Sequence, residues 1–499
     1  MKSTVKINKN DTLTLTVSAM SFAGLGIARY SDPAAGADNY VFFISGAVVG
    51  DVCRCLVLKV GKSYGYAKIL EILSPSADRI PADCNVFGKC GGCSFLNTEY
   101  RAELSYKSRI VADAFSKNGF SFVDRNSPVM PLILPEPILT DMTPEGTPEV
   151  VGSPETEYYR NKVIYPLSPE GKFGFYAHNS HRCCACYDCR LQDRLFTDIA
   201  GCVQQFIADY GIRPYDEAFG TGLFRHLFLR RGKSSGQLMV CLILAEERLP
   251  HQDELIRRLS RFPEIRSVYI NVNPLVGNTV LGRRFSLIYG EPYIEDTLCG
   301  LRFRISPAAF WQINSRQAEN LYNYAVNAAE ITENDTVLDL CCGTGTLALI
   351  AAKNTEAKRV FGVEIVPEAI EDAKQNAEAN GIENCTFLVA DAAETYDVIK
   401  SECKGFQLPN VVIVDPPRKG LDEEAVRQLK RLSPDRIVYI SCDPHTQARD
   451  LSRLIYPNLG DSESVFLLPT YRVRSLRAFD MFPRTPHIES VVCLTKIPG

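Results

Sequence analysis

The chain has 499 residues, 45% of them hydrophobic and 23% charged, and carries a net charge of −4 at pH 7. That profile fits a globular protein of two to four domains; its acidic balance excludes a globally basic nucleic-acid binder but leaves room for local cationic patches. No run of 18 apolar residues occurs and Met1–Asp11 is polar, so neither a membrane span nor a secretory leader is expected.

Eighteen cysteines without such a leader indicate a reducing, cytoplasmic setting in which thiols serve metal binding or catalysis. Cys53, Cys55, Cys241 and Cys493 fall in strand-like apolar runs and read as core. In chain order, residues 1–75 alternate like strands over Thr12–Val17, Tyr40–Phe43, Val52–Val60 and Tyr66–Ile72, with glycine turns between them. Strands at this spacing predict a small barrel, a frequent oligonucleotide-binding architecture. Cys84-x5-Cys90-x2-Cys93 follows, and Cys183, Cys184, Cys186 and Cys189 come much later. Four thiolates suit either structural zinc or an iron–sulfur cluster. A zinc ribbon would pair Cys90 and Cys93 with Cys186 and Cys189, whereas a cluster would also use Cys84. Residues 99–118 predict a helix ended by Gly119, and the seven prolines from Pro128 to Pro154 predict an irregular insertion. Alternating segments from Tyr159-Arg160-Asn161-Lys162 to about residue 300 predict a second, mostly β domain.

After Phe303–Ser306, strands alternate with helices. Strands are expected at 336–340, 359–363, 385–389, 410–414 and 436–440, helices over 314–329 and 367–380, and a terminal pair at Val465–Leu468 and Val491–Thr495. This order predicts a doubly wound sheet with ligands at the carboxyl ends of its strands. Those ends carry Asp339 with Gly343-Thr344-Gly345, then Glu364, Asp391, Asp415-Pro416-Pro417 and Ser441-Cys442-Asp443-Pro444. The two glycines are expected where backbone passes close to a ligand, and Glu364 lies where an acid binds ribose hydroxyls. The third glycine of the dinucleotide fingerprint is missing, since Thr346 and Leu347 follow. A Cys442 thiolate adding to carbon 6 of uracil would make carbon 5 nucleophilic. Glu489, entering the last strand, offers a base for the carbon 5 proton.

D-L-C-C-G-T-G-T followed by G-V-E resembles the S-adenosylmethionine site of a class I methyltransferase. Y-I-S-C-D-P-H-T-Q-A-R-D (439–450), V-D-P-P-R-K-G (414–420), F-P-R-T-P-H-I-E-S-V (482–491) and S-P-A-A-F-W-Q-I-N (306–314) resemble the RNA uracil-5-methyltransferase family. G-L-G-I-A-R with V-F-F-I-S-G-A-V-V-G-D-V resembles a TRAM domain, an RNA-binding barrel. Together with C-x5-C-x2-C, these resemble the family's bacterial 23S rRNA branch across nearly the whole chain.

The resemblance implies a multidomain protein: an OB-like TRAM barrel at 1–75, a central, mostly β domain with a [4Fe–4S] cluster at 76–300, and an α/β doubly wound class I methyltransferase domain at 301–499. It implies a monomer that methylates carbon 5 of uridines in RNA, 23S rRNA foremost, through a covalent cysteine–uracil intermediate. Cys442 is then the nucleophile and Glu489 the proton acceptor. Gln312, Cys341, Gly343, Gly345, Thr346, Glu364, Asp391 and Asp415 serve the methyl donor, with Gln312 and Asp415 also facing the base, and Phe310 stacks on the flipped-out uracil. Cys84, Cys90, Cys93 and Cys189 hold the cluster, although Cys183, Cys184 and Cys186 leave the fourth ligand open. Cys341 and Thr346 depart from the aromatic residue and Asn of many relatives, and Arg418 and Lys419 read equally as RNA-facing or solvated. Three alternatives stand beside this reading: a tRNA uracil-5-methyltransferase, a base-amine methyltransferase using Asp415-Pro416-Pro417, and a non-catalytic RNA-binding factor.

Overall fold

The structure, a computed structural model, describes residues 7–32, 37–126, 137–186, 188–403, 407–456 and 469–498. Five strands, β1 (Thr12–Met20), β2 (Gly26–Asp32), β3 (Ala37–Ser45), β4 (Val52–Val60) and β5 (Tyr64–Ser74), close a barrel in the order β1-β2-β3-β5-β4. Alternation places Leu15, Val17, Phe42, Ile44, Cys53, Cys55 and Val57 inside it, so Cys53 and Cys55 are core residues. Strand β2 had no counterpart in the sequence reading, because the Gly24–Gly26 turn pattern masks its alternation.

Helix α1 (Tyr100–Ser116) follows, then three short strands, β6 (Phe122–Asp124), β7 (Ile138–Thr140) and β8 (Val150–Val151). The proline-rich stretch is therefore structured at its C-terminal end. Strand β8 pairs in parallel with the last sheet at Ala478↔Val150 and Phe479↔Val151, which satisfies backbone groups that an irregular insertion would leave open.

The central region holds β9 (Lys162–Pro166), the hairpin β10 (Gly174–Tyr176) and β11 (Cys183–Ala185), and α2 (Arg194–Asp209). Next come β12 (Phe224–Arg231), β13 (Leu238–Leu244), α3 (Gln252–Leu259), β14 (Ile265–Val272) and β15 (Arg284–Gly290). Strands β15-β14-β13-β12-β9 form one sheet whose central strands are buried on both faces, Cys241 among them. A two-stranded ribbon, β16 (Ile294–Leu298) and β17 (Leu301–Ile305), leads onward.

The C-terminal part runs α4 (Ser315–Ala328), β18 (Thr336–Leu340), α5 (Thr346–Asn354), β19 (Arg359–Glu364), α6 (Pro367–Ala379) and β20 (Cys385–Val389). It continues with α7 (Thr395–Glu402), β21 (Val411–Val414), α8 (Glu423–Leu432), β22 (Arg436–Ser441), α9 (Pro444–Ile455), β23 (Tyr471–Phe479) and β24 (Glu489–Lys496). The sheet order is β20-β19-β18-β21-β22-β24-β23-β8. The first five strands are parallel and β24 is antiparallel, as expected of a doubly wound sheet closed by a terminal pair. The expected strand at Val465–Leu468 lies outside the described residues; the partner of β24 is Tyr471–Phe479. Residues alternate between the two faces, Val337 and Ile413 packing into one core and Leu338 and Val412 into the other. That second core includes Val111, Ala114 and Phe115 of α1, so α1 covers one face of the last sheet from far upstream in the chain.

Candidate active site

Strand order reverses between β18 and β21, and such a switch point leaves a crevice at the strand ends. A cavity of about 750 Å³ opens there. Phe310, Gln312, Cys341, Gly343, Thr346, Glu364, Asp391, Asp415, Cys442 and Glu489 all line it, together with Arg418 and Lys419. Gly345 is absent from the lining. Its φ is +80° and a Cβ there would come within 2.9 Å of Ala373 and the Phe387 ring, so this glycine lets α5 start against α6 rather than admitting a ligand. Gly343, with φ of +53°, lines the cavity, and a Cβ there would meet nothing within 4 Å.

At the β19–β20 end, Glu364 accepts from the amides of Gly343 (3.2 Å), Ile365 (2.9 Å) and Val366 (3.1 Å), which fixes its carboxylate at the cavity wall. Asp391 both lines the cavity and caps the turn that follows, accepting from Ala393 N at 2.9 Å. Asp339 lies beneath them. One oxygen accepts from Ala348 N at 2.8 Å, the other has no hydrogen-bond partner, and burial pushes its pKa up to about 8.

The other end of the cavity is set by strand register. Strands β22 and β24 pair through Ile440↔Val491 and Ser441↔Ser490, and Cys442 and Glu489 are the residues on either strand next to that last pair, close enough for the Glu489 charge to act on the thiol. Gln447 locks this step, donating to the carbonyls of Tyr439 (2.9 Å) and Ser490 (3.1 Å) and accepting from Ser490 Oγ. Asp443 caps α9 through the amides of His445 and Thr446, which fixes the turn carrying Cys442. Burial, then the charges of Glu489 and Asp415, push the Cys442 thiol up to about 12, while Arg418 pulls it down. Glu489 is raised well above the carboxylate range by burial and by Asp415, and burial raises Asp415 to about 7. Each carboxyl opposes ionisation of the other, so of the two protons the pair can hold, one is released near neutrality and the second is held more firmly. Phe310 stands at the cavity with 62% of its surface exposed.

The loop into Glu489 is held by groups the sequence reading did not single out. Buried Lys107 of α1 bonds Glu103 (2.7 Å) and Asp480 (2.6 Å), and Glu103 accepts from Arg484 N at 2.7 Å. Arg484 adopts φ of +70°, and its carbonyl accepts from Ser94 N (2.9 Å) and Phe95 N (3.1 Å), directly after Cys93. No local pattern announces such a network, because its partners lie some 380 positions apart in the chain.

The cysteines themselves converge from two directions. Gly91 N donates to Tyr176 O at 3.0 Å and Cys90 bridges to Ala177, so the 84–93 loop lies along the β10–β11 hairpin. Cys93 feels the charges of Cys189, Cys90 and Cys84, Cys90 those of Cys189, Cys184 and Cys84, and Cys186 those of Cys189, Cys84 and Cys90. The amide of Gly92 points at the Cys90 sulfur, and those of Leu191 and Gln192 point at the Cys189 sulfur, donors that suit ionised thiolates. Among the described residues no three Cys, His, Asp or Glu side chains are drawn together closely enough to hold one metal ion.

The profile of the family described as tRNA (Uracil-5-)-methyltransferase matches residues 217–497. An RNA methyltransferase of Halalkalibacterium halodurans, described as uncharacterized, is 37% identical over 99% of both chains. A Clostridium acetobutylicum protein of the same description is 34% identical over the whole of both. Among solved structures, the tRNA (uracil-54, C5)-methyltransferase of Pyrococcus abyssi, in complex with S-adenosyl-L-homocysteine, matches with a TM-score of 0.71. It covers 97% of this chain and 100% of its own, at 24% identity. With its profile spanning over half the chain and relatives above 30% identity along all of it, the protein belongs to the family of S-adenosylmethionine-dependent RNA (uracil-5-)-methyltransferases.

Proposed function

We propose that the protein methylates carbon 5 of specific uridines in RNA, 23S rRNA foremost, with Cys442 as nucleophile and Glu489 as proton acceptor. The observation that carries this reading is that Cys442 and Glu489, each next to the Ser441↔Ser490 pair, line one cavity of about 750 Å³. A base-amine methyltransferase has no use for that thiol, and a binding factor has no use for either group.

The donor, when bound, supplies an electrophilic sulfonium methyl group. Glu364 is oriented to accept from its ribose hydroxyls, Gly343 leaves room for it, and Asp391 and Thr346 stand beside them. Phe310 offers a face on which the extruded uracil stacks, with Gln312 and Asp415 within the same wall. Arg418, the cation acting on Cys442, favours its ionised form. The Cys442 S–H bond breaks, its proton passing to solvent, as the sulfur adds to carbon 6, and the electron pair released makes carbon 5 attack the methyl group. Glu489 then removes the carbon 5 proton, and the sulfur leaves carbon 6 as thiolate.

The same reading includes a barrel of TRAM type at 1–75, a central domain at 76–300 and a catalytic domain at 301–499. Cys84, Cys90, Cys93 and Cys189 would hold a [4Fe–4S] cluster. The alternative, one zinc, would draw its thiolates within about 4 Å of each other. A cluster spreads its ligands wider, and the amides aimed at Cys90 and Cys189 suit it. When bound, it would cross-link the 84–93 loop to the segment after β11.

A second reading, tRNA as target, is favoured by the match to the Pyrococcus abyssi enzyme over 97% of this chain. Mapping 5-methyluridine in rRNA and tRNA from cells lacking and regaining this protein separates the two. A site that vanishes and returns in 23S rRNA supports the proposal, one in tRNA selects the second reading, and no change in either overturns both.

A further inference from the structure

Lys162 is a cavity-lining residue to which the reaction above gives no task. It lies on β9, paired with Arg230 of β12, and lines the cavity beside Phe310, Trp311 and Gln312. Among the described residues its ammonium has no hydrogen-bond or ion-pair partner, and the charged groups acting on it are two cations, Arg230 and Arg160. Burial, with those two charges, lowers its pKa to about 8, so it is cationic at pH 7. A desolvated cation among cations costs free energy, and an anionic ligand offsets that cost.

Three anions could enter this cavity: the donor's carboxylate, the oxygen of the reacting ring, and a phosphate of the RNA strand. The donor half lies towards β18, β19 and β20. Lys162 belongs to the opposite half, where Asn161 bonds the Gln312 carbonyl (2.8 Å) and the Ile313 carbonyl (2.9 Å), and Tyr159 bonds the Pro483 carbonyl (3.0 Å). The reacting ring must lie against Cys442 and Glu489, whereas Lys162 comes from β9 and lines the wall of Phe310, Trp311 and Gln312.

We propose that Lys162 binds a backbone phosphate of the RNA strand next to the target uridine, on the Phe310 side of the cavity. The uridine's base and its phosphate are then held by neighbouring side chains of one wall, Phe310 and Lys162. An ammonium serves a phosphate as a point charge. This inference rests on the proposed reading of the site, and it adds a contact that sets which part of the strand is gripped.

The test uses the full-length protein and an RNA hairpin centred on the uridine found by the mapping experiment. Lys162→Met should weaken hairpin binding roughly 10- to 100-fold, the loss expected of one charge-assisted bond. Lys162→Arg should restore most of it, and S-adenosylhomocysteine affinity should be unchanged in both variants. Hairpins carrying one neutral methylphosphonate at each linkage around the uridine locate the phosphate. One linkage should weaken binding to wild type and leave binding to Lys162→Met unaffected. Equal sensitivity of both proteins at every linkage overturns the proposal, as does unchanged hairpin affinity. A fall in S-adenosylhomocysteine affinity would assign Lys162 to the donor carboxylate, and a fall in kcat at unchanged affinity to the reacting ring; either also overturns it. Failure of the mapping itself would strike the proposed function, whereas a mapped uridine with no Lys162 effect strikes this inference alone.

Discussion

Strands β22 and β24 pair continuously from Arg436↔Thr495 to Ser441↔Ser490, and Cys442 and Glu489 are the residues next to that last pair. Elsewhere, Cys84, Cys90 and Cys93 lie on a loop held to the β10–β11 hairpin by the Cys90–Ala177 bridge and by the bonds from Gly91 N to Tyr176 O and from His178 N to Lys89 O, while Cys189 lies beyond β11. Cys442 and Glu489 are thus positioned by a continuous backbone ladder, whereas the four cysteines sit on loops with few backbone ties. The two regions are nonetheless mechanically joined. The Arg484 carbonyl ties the residues after Cys93 to the loop that leads into Glu489.

The catalytic ladder is broken most severely at its two end residues, which should fail differently. Cys442→Ala should abolish methyl transfer while RNA and donor binding persist. Glu489→Gln should still add and methylate, then accumulate a covalent protein–RNA adduct on denaturing gels, because the carbon 5 proton stays in place. Normal turnover by either variant would refute the assignment and favour amine methylation.

At the loop-built site, replacing Cys84, Cys90 or Cys93 with Ser should remove the broad visible absorbance expected of the anaerobically purified protein. Thermal unfolding of the variants should begin earlier. A colourless wild type holding one zinc and no iron would show that the cluster reading is mistaken.

The link between the regions is tested by Lys107→Met, which strands Glu103 and Asp480 without their cation. Breaking such a buried pair costs about 3–5 kcal/mol, measurable by denaturant titration. Because Glu103 holds Arg484 N, the variant should also lose iron more readily than wild type; equal iron retention would show that the two sites are not coupled through this loop.

Within the cavity, Glu364→Ala removes the group placed to accept from ribose hydroxyls, a charge-assisted bond worth roughly 1.5–3 kcal/mol. Donor affinity should fall by about one to two decades, and unchanged affinity by calorimetry would mean the donor lies elsewhere.

The smallest effect is the stability cost of the raised carboxyls. Asp415 and Glu489 hold protons in the folded state that the unfolded chain has already released, so each costs stability as pH rises from the unfolded value near 4 through the folded one. Asp415→Asn should therefore melt a few degrees above wild type at pH 8, and the gap should close towards pH 4. A gap independent of pH would show that the carboxyl is not responsible.

Much of the catalytic part was legible because its signals are local. Val337, Leu338 and Leu340 mark a buried strand, Pro367 and Gly381 bracket α6, and the expected bounds agree with the structure to within a residue or two. The acids and Cys442 were readable as one site because parallel strands bring their carboxyl ends to one edge, a rule of topology rather than of sequence spacing. Gly345 was read as a ligand glycine, since a sequence does not reveal that Ala373 and Phe387 crowd it.

The sequence by itself determined the alternation of strands and helices in the C-terminal part, a small N-terminal barrel and the residue types able to carry methyl transfer. Tertiary structure alone decided that α1 and β8, from far upstream in the chain, pack on the catalytic sheet. It likewise placed unpartnered Lys162 in the cavity and set Lys107, Glu103 and Asp480 beneath the Glu489 loop. Periodicity and turn chemistry act over a few residues and leave a mark in the chain. Long-range contacts and the burial of a charge depend on which surfaces meet, and no local pattern records that.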